Sequence, residues 1–148
     1  MITRANLLDL PALRQLEQEC FPLDAWPLLD LISVLSMPGV IRLKVVEDDR
    51  MVGFAAVDPR PQEGLSWIAT ICIGPQYQRR GLGRALLEAC EQAVTTPLIR
   101  LCVRPNNDAA IALYKQMGYE IIDTWRAYYT DGTDSLVMQK ARESFYRL

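Results

Sequence analysis

Apolar positions in the first 40 residues have the spacing of two helices. The apolar residues of the first helix recur at every third position: Leu10, Leu13 and Leu16. Asp9 can cap this helix, and a loop with two prolines leads to a second apolar segment at 28–37. Residues 38–39, Pro-Gly, end that segment because neither residue extends a helix. We therefore predict two helices after a short N-terminal strand at Ile2–Arg4.

Beyond residue 40 the apolar residues are mostly β-branched and alternate with polar ones. Segments 41–46 and 51–57 flank a polar turn at 47–50, which is typical of an antiparallel hairpin. A third strand is predicted over Leu65–Ile73, after a loop rich in proline and glycine. This part of the chain therefore reads as a β meander.

The second half of the chain alternates helices and strands. A long helix ends before Pro97, and its apolar face is formed by Leu82, Ala85, Leu86, Ala89 and Ala93. A strand over Leu98–Val103, a helix over 107–117 closed by Gly118, and a strand pair around 131–132 follow. The order predicts one α/β domain with a mixed sheet over residues 1–148, with 141–148 as a tail.

Composition restricts the chemistry more than it restricts the fold. The chain has 148 residues, 50% of them hydrophobic, which is enough for one substantial core. It contains no histidine, which excludes Ser-His-Asp and Cys-His nucleophiles, His-ligated zinc and a histidine base. No metal site is expected, and acid–base chemistry must use carboxylates, tyrosines or water.

Charge and apolar runs exclude several partners. The 16 basic and 18 acidic side chains are intermixed, so nucleic acid is not expected as a partner. No apolar run approaches the ~18 residues of a membrane span, and the N-terminus lacks the long apolar stretch of a signal peptide. The cysteines lie in apolar segments without a CxxC pair, which predicts free thiols in a reducing, cytoplasmic setting.

The segment Q-R-R-G-L-G-R at 78–84 carries the clearest chemical signal. It lies between an apolar strand and an amphipathic helix. Its glycines allow backbone N–H groups to converge at the helix N-terminus, where the helix dipole adds partial positive charge and three arginines add full charge. The spacing is that of neither a P-loop nor a dinucleotide loop. It predicts a pyrophosphate site of another kind.

Two segments together resemble one family. Residues 78–83 resemble the (Q/R)-x-x-G-x-(G/A) pyrophosphate loop of the GCN-five-related N-acetyltransferases, the GNAT superfamily. Residues 103–119 are similar to the family's V-x-x-x-N-x-x-A-I-x-L-Y-x-x-x-G-(F/Y) segment. The resemblance implies a GNAT-like domain with a mixed, mostly antiparallel sheet of six to seven strands flanked by about four helices. It also implies that strands Leu65–Ile73 and Leu98–Val103 splay apart.

The resemblance implies acetyl-CoA as co-substrate. The pantetheine arm is expected at Asn107 and along the main chain of Ile71 and Ile73, with Cys72 between them. The residues expected at the pyrophosphate are Arg79, Arg80, Gly81, Leu82, Gly83 and Arg84. From the residues alone, Asn107 serves equally well as a helix N-cap.

Tyr114 is the expected catalytic residue. Its helical spacing to Ala110 and Met117 favours a core tyrosine when the residues are considered alone. The resemblance implies instead that it is the general acid, because the tyrosine at this position protonates the departing CoA thiolate. A phenol with a pKa near 10 can lend its proton and recover it.

Within the superfamily the chain is most similar to the ribosomal-protein-alanine N-acetyltransferase type, which acetylates the α-amine of protein N-termini. Phe21 and Trp26 resemble its F-P-W loop, and Tyr128 and Tyr129 resemble its R-x-Y-Y segment; all four are expected to flank the acceptor. The chain departs from the family at Cys102, where the family has a glutamate that acts as general base. Because an α-amine with a pKa near 8 is partly neutral already, we expect direct transfer in a ternary complex, with the amine proton leaving through water to an exposed carboxylate or to Tyr128.

Two other functions remain open from the sequence. The same donor site would serve an acetyltransferase of small amines, such as a polyamine, an aminoglycoside or an amino acid. The missing glutamate at Cys102 favours a non-catalytic acetyl-CoA-binding module. The sequence does not determine the oligomeric state.

Overall fold

The computed structural model describes residues 1–142. In that range the chain forms four α-helices and seven β-strands, joined by loops and short 3-10 turns. The helices are α1 (Leu10–Cys20), α2 (Leu28–Ser36), α3 (Leu82–Ala93) and α4 (Asp108–Gln116). The strands are β1 (Ile2–Arg4), β2 (Ile41–Glu47), β3 (Arg50–Arg60), β4 (Leu65–Ile73), β5 (Leu98–Val103), β6 (Glu120–Trp125) and β7 (Ser135–Ala141). The predicted order of elements is confirmed. The tail predicted over 141–148 starts too early, because Ala141 pairs with Leu98 as the last residue of β7; residues 143–148 lie outside the described residues.

Hydrogen bonding orders the strands as β1-β2-β3-β4-β5-β7-β6. Pairs β1–β2, β2–β3, β5–β7 and β6–β7 are antiparallel, and β4–β5 is parallel. The predicted mixed, mostly antiparallel sheet is therefore confirmed, with seven strands. None of the helices within residues 1–142 has the length and apolar character needed to cross a bilayer.

The chain groups into two compact units. The first unit contains Met1–Pro59 and Ala69–Val94, and thus α1 to α3 with β1, β2, most of β3 and the end of β4. The second contains Arg60–Ile68 and the described residues from Thr95 onward, with the start of β4, then β5, α4, β6 and β7. That residues 1–148 act as one domain stays a prediction.

The turn between β2 and β3 shows why the hairpin forms where the sequence predicts it. Asp48 and Asp49 both adopt positive φ, at 50° and 60°. A two-residue turn of this kind matches the right-handed twist of the flanking strands, and aspartate tolerates the left-handed region better than most residues. The turn therefore fixes the register in which Glu47 pairs with Arg50.

The start of α1 corrects the predicted cap. Asp9 makes no side-chain cap to the helix; it accepts a hydrogen bond from the Asn6 backbone N–H (2.9 Å) and one from Lys44 Nζ (2.8 Å). The Asn6 side chain accepts from Leu8 N (2.9 Å) and caps a 3-10 turn at Leu7–Asp9 that precedes the helix. The side-chain cap therefore lies at Asn6, where the free N–H groups of the 3-10 turn need an acceptor, and not at Asp9.

The core of the first unit lies between α1, α2 and strands β3 and β4. Leu13 on α1, Leu31 on α2, and Phe54 and Cys72 on the strands form one buried cluster. Residues 54 and 56 face this cluster because side chains alternate along a strand. On α3, which packs against β2, the buried residues are Leu86, Leu87 and Cys90.

The second unit is built on the β4–β5 ladder. The parallel pairing runs from Leu65↔Leu98 to Ile68↔Leu101. It ends before either strand ends, whereas β5 pairs with β7 along its whole length. A ladder this short agrees with the expectation that the two strands splay.

The close approach of β3 and β4 yields a stability prediction. A Cβ added at Gly53 would lie 2.7 Å from Ile73 Cδ1, 3.0 Å from Val45 Cγ2 and 3.2 Å from the Cys72 carbonyl oxygen. The backbone oxygen cannot yield cheaply, so we expect Gly53→Ala to lower the free energy of unfolding by about 1–3 kcal/mol, measured by urea denaturation. Gly74→Ala is the control, since its Cβ would meet nothing closer than 3.4 Å. Equal stability of the two variants would contradict this account.

Candidate active site

The turn into α3 is shaped by one left-handed glycine. Gly81 has φ +79°, occupies the N-cap position of α3, and has open space where a Cβ would project. A glycine cap has no side chain to accept a hydrogen bond, and the first N–H groups of a helix have no acceptor within the helix. The N–H groups at Leu82, Gly83 and Arg84 are therefore suited to bind an anion.

Two arginines of this turn make exposed ion pairs. Arg80 lies 3.3 Å from Glu47 and stacks on the Tyr77 ring at 5.3 Å, and Arg84 lies 3.4 Å from Glu88. Exposed pairs of this kind contribute little to stability. An anionic ligand can therefore compete for these guanidinium groups at small cost.

Arg79 and Gln78 connect the turn to β4. Arg79 has φ +65°, an uncommon conformation for a side chain of this size. The Gln78 side-chain Nε2 donates to the Ile73 carbonyl oxygen at 3.1 Å. The predicted pyrophosphate loop is thus attached directly to the end of the predicted pantetheine strand, and both lie in the first unit.

The side chains of β4 near this end are committed to packing. Cys72 is 7% exposed and belongs to the core cluster, and the Ile73 side chain packs toward Gly53. A hydrogen bond with Cys20, together with burial, raises the pKa of the Cys72 thiol well above its ordinary value. Only the main chain at 71–73 is therefore suited to the predicted contact with acetyl-CoA.

In the second unit, α4 carries the two residues predicted downstream of the loop. The Asn107 Oδ1 accepts from Ala110 N at 3.2 Å, so this side chain caps the helix. Tyr114 is 8% exposed, and its ring lies 5.9 Å from that of Tyr119. The structure thus shows the cap and the packed tyrosine expected from the residues alone, while their ligand and acid roles stay predictions.

Cys102 contacts Tyr128 and Ser135. Burial raises the pKa of the Cys102 thiol, and hydrogen bonds from Ser135 and Tyr128 offset only part of that effect. Burial and the neighbouring Cys102 likewise raise the pKa of Tyr128. Both groups therefore hold their protons at neutral pH, and neither is suited to take a proton from an amine.

Four aromatic side chains form a row in the second unit. The ring centroids are 5.5 Å apart for Trp67–Trp125, 5.6 Å for Trp125–Tyr128 and 4.9 Å for Tyr128–Tyr129. The sequence predicts Tyr128 and Tyr129 at the acceptor but gives no prediction for either tryptophan. No local signal marks them, because β4 and β6 are not neighbours in the strand order and the two rings meet only in the folded chain.

A polar network holds the connection between β6 and β7. Arg104 lies 3.1 Å from Asp131 and stacks 4.2 Å above the Tyr129 ring. Hydrogen bonds from Thr133, and then from Arg104, lower the pKa of Asp131 to about 2. The Asp134 Oδ1 accepts a hydrogen bond from Ala127 N at 2.9 Å, and Ala127 has a φ of +50°. The segment that presents Tyr128 and Tyr129 is therefore held in place by charged groups on Arg104, Asp131 and Asp134.

Phe21 and Trp26 lie in the first unit. Both are partly buried and pack against the core cluster. Phe21 and Trp26 therefore contribute to packing, as the residues alone allow. Their role at the acceptor stays a prediction.

A further titratable group in the first unit escaped sequence analysis. Glu17, on α1, is 1% exposed, and burial raises its pKa to about 7. Its helical position among apolar residues is the only signal in the sequence, and that position alone does not distinguish a buried glutamate from an exposed one.

Comparison with known proteins agrees with the fold and with the two motifs. The model of the acetyltransferase (GNAT) family matches residues 10–119. The [ribosomal protein bS18]-alanine N-acetyltransferase of Salmonella typhimurium is 36% identical over 133 residues, 86% of each chain.

Solved structures give the same result. The ribosomal-protein-S18-alanine N-acetyltransferase of Escherichia coli has a TM-score of 0.85 and 30% identity over 95% of this chain and 92% of its own. Arabidopsis thaliana NAA60 in complex with acetyl-CoA shares the fold, with a TM-score of 0.83 and 19% identity over 96% and 99% of the two chains. With the pyrophosphate-type turn at the start of α3 and a family match over most of its length, the chain belongs to the GNAT family of acetyltransferases.

Proposed function

We propose that this protein transfers the acetyl group of acetyl-CoA to the α-amine of protein or peptide N-termini. The observation that carries the proposal is the glycine-capped N-terminus of α3 with its arginines, in a chain whose relatives include alanine N-acetyltransferases. The family supplies the reaction class, and the α3 turn supplies a donor site that suits a pyrophosphate.

The α3 turn holds the pyrophosphate of acetyl-CoA through backbone N–H groups. Gly81 directs these groups outward, and the helix dipole favours negative charge at this end. Arg80 and Arg84 leave their exposed partners, Glu47 and Glu88, to neutralise the phosphates. The main chain of Ile71 and Ile73 binds the pantetheine arm, since the side chains of β4 serve the core.

Transfer is direct and uses Tyr114 as the acid. The neutral amine attacks the thioester carbon, the C–S bond breaks, and the thiolate takes the phenolic proton of Tyr114. Cys102 forms no acetyl intermediate, because its raised pKa keeps it as a thiol and only a thiolate is a good nucleophile. Holding the amine against the thioester supplies several kcal/mol through orientation alone.

The aromatic row of the second unit offers the acceptor an extended surface. Tyr128 is 50% exposed, and Trp125 beside it is 37% exposed. Aromatic faces with a hydroxyl at one edge suit a peptide, because they combine apolar contact with hydrogen bonds to its main chain. This surface favours a peptide over a small amine.

A panel of acceptors tests the proposed function. We expect release of CoA with short peptides that begin with a small residue, and little turnover with polyamines, aminoglycosides or free amino acids. Mass spectrometry should place one acetyl group on the peptide α-amine. Exclusive turnover of small amines, or acetyl-CoA binding without transfer to any amine, would refute the proposal.

The α3 turn gives a second prediction. Alanine at Gly81 must adopt a left-handed conformation or turn the N–H groups away, so we expect Gly81→Ala to raise the Kd for acetyl-CoA about tenfold or more by calorimetry. Gly39→Ala is the matched control: Gly39 has φ +85° and equally open space, but lies after α2. The same loss of affinity in both variants would show a general effect of backbone strain.

The acid role of Tyr114 gives a third prediction. Removing the phenolic proton should lower kcat by about 10²-fold or more in Tyr114→Phe, because a positioned acid contributes 10² to 10⁴ in rate. The Kd for acetyl-CoA should change less than threefold, since the ring remains. Tyr119→Phe, on a buried neighbouring tyrosine, is the control and should retain turnover. Equal turnover of Tyr114→Phe and wild type would assign Tyr114 to packing alone.

A further inference from the structure

The connection between β6 and β7, residues 126–134, contains neither helix nor strand. It carries Tyr128, the exposed tyrosine that the proposed function places at the acceptor, and most of its other residues are exposed as well. Exposed connections of this kind are usually mobile, and a mobile segment must be ordered when it binds a ligand. The contacts that hold this connection in place therefore affect how it binds.

Part of the order comes from hydrogen bonds within the connection itself. Tyr129 N donates to the Thr133 carbonyl oxygen (3.1 Å), and Gly132 N donates to the Tyr129 carbonyl oxygen (2.9 Å). Thr133 N donates to Asp131 Oδ1 (3.0 Å). These bonds close a tight turn over 129–133, but they do not join that turn to the rest of the second unit.

Arg104 joins the turn to the sheet. It directly follows β5, and its carbonyl oxygen accepts a hydrogen bond from Asn107 N at 3.0 Å in the turn that leads to α4. Its side chain reaches the connection, where Nη1 lies 3.1 Å from Asp131 Oδ2 and Cζ lies 4.2 Å from the centre of the Tyr129 ring. One side chain therefore contacts the connection at two residues, from a part of the chain that is itself fixed.

Low exposure distinguishes Arg104 from the arginines of the other ion pairs described. The Arg104 side chain is 17% exposed, whereas those of Arg60, Arg80 and Arg84 are 49%, 56% and 51% exposed. Exposed pairs are screened by water and contribute little, but a guanidinium group that lies against an aromatic ring is held in one orientation. Arg104 is therefore an ordered part of the second unit and not a flexible surface charge.

The two contacts of Arg104 need a planar guanidinium group. This group can lie flat over an aromatic ring while an N–H at its edge donates to a carboxylate, and a lysine ammonium cannot do both from one position. The carboxylate stays ionised, because hydrogen bonds from Thr133, and then from Arg104, lower the pKa of Asp131 to about 2. The pair therefore keeps its charge at the pH of any ordinary enzyme assay.

Tyr129 connects Arg104 to Tyr128. The two tyrosine rings lie 4.9 Å apart at 90°, so that the edge of one faces the other, which is a favoured aromatic arrangement. Tyr128 also contacts the Trp125 ring at 5.6 Å. Tyr128 therefore has two packing partners although it is 50% exposed, and one of these partners is held by Arg104.

We propose that Arg104 is a positioning residue for the acceptor. By stacking on Tyr129 and pairing with Asp131, it orders the connection 126–134 before the peptide binds, so that Tyr128 is already placed to contact the peptide. This proposal rests on the proposed function, and it adds a residue that acts on acceptor affinity through Tyr129 without touching the peptide. All the residues involved lie in the second unit.

Steady-state kinetics with a short peptide that begins with a small residue test this role. In Arg104→Met, the KM for the peptide should rise about tenfold, because binding must now order the connection, while kcat at saturating peptide should change less than about threefold. The KM for acetyl-CoA should stay within about twofold. Arg104→Lys keeps the charge but not the stacking, so it should restore part of the loss. Arg60→Met, which removes an exposed ion pair of the same unit, is the control and should match wild type.

A double variant tests whether Arg104 acts through Tyr129. Tyr129→Leu removes the ring on which Arg104 stacks, so it should raise the KM for the peptide to a similar extent. In the variant with both changes, this KM should lie within about twofold of the larger single effect, because both changes remove the same contact. Independent effects that multiply in the double variant would overturn the proposal.

A purely structural role predicts a different result. It predicts that the free energy of unfolding and kcat fall in Arg104→Met while the KM for the peptide keeps its wild-type value, and that result would overturn the proposal. If Arg104→Met does not fold, Asp131→Asn takes its place: it leaves the stacked arginine and should raise the KM for the peptide about threefold, and an unchanged KM there would be equally decisive against the proposal. If wild type acetylates no peptide, the proposed function fails and this role of Arg104 fails with it; an active wild type with an unaltered variant refutes only the role of Arg104.

Discussion

Strand β4 meets two different requirements along its nine residues. Its first four residues form the parallel ladder with β5 that organises the second unit. Its last residues pack against β3 at Gly53, where the absence of a side chain allows the backbones to approach closely. Because Cys72 and Ile73 are used in that packing, β4 offers a ligand its main chain. The start of α3 and its cap depend on where this strand ends, since Gln78 is bonded to the Ile73 carbonyl.

The charges at the proposed donor site are exposed, and those near the proposed acceptor segment are fixed. Arg80 and Arg84 are held by weak, solvent-exposed pairs, so they are available to phosphate. Arg104, by contrast, is engaged with Asp131 and with the Tyr129 ring, where it stabilises the β6–β7 connection. Arg80 and Arg84 are therefore open to a ligand, as the proposed function needs, whereas Arg104 is used for rigidity; their exposure distinguishes the two.

The distribution of pKa shifts limits where a proton can go. Burial raises the pKa of Cys102 and Tyr128 from values that already exceed neutral pH, so both remain protonated. Burial of a carboxyl group raises its pKa from an acidic value toward neutrality, which is the result at Glu17. The same physical effect therefore keeps Cys102 and Tyr128 protonated and brings the pKa of Glu17 to about 7, in a chain that has no histidine.

Local patterns in the sequence determined the elements and the donor turn. The apolar runs predicted β4 and β5 at their observed bounds, and Q-R-R-G-L-G predicted the turn at Gly81, because strand alternation and glycine conformation act over a few residues. Asp9 stands at the predicted N-cap position of α1 but makes no cap hydrogen bond there, since its carboxylate accepts from Asn6 N and from Lys44 on a later strand. Only the tertiary structure placed Trp67 beside Trp125 and buried Glu17. The tryptophans lie far apart in the sequence and on strands that are not neighbours, and Glu17 is buried by the packing of α1; a local pattern contains neither.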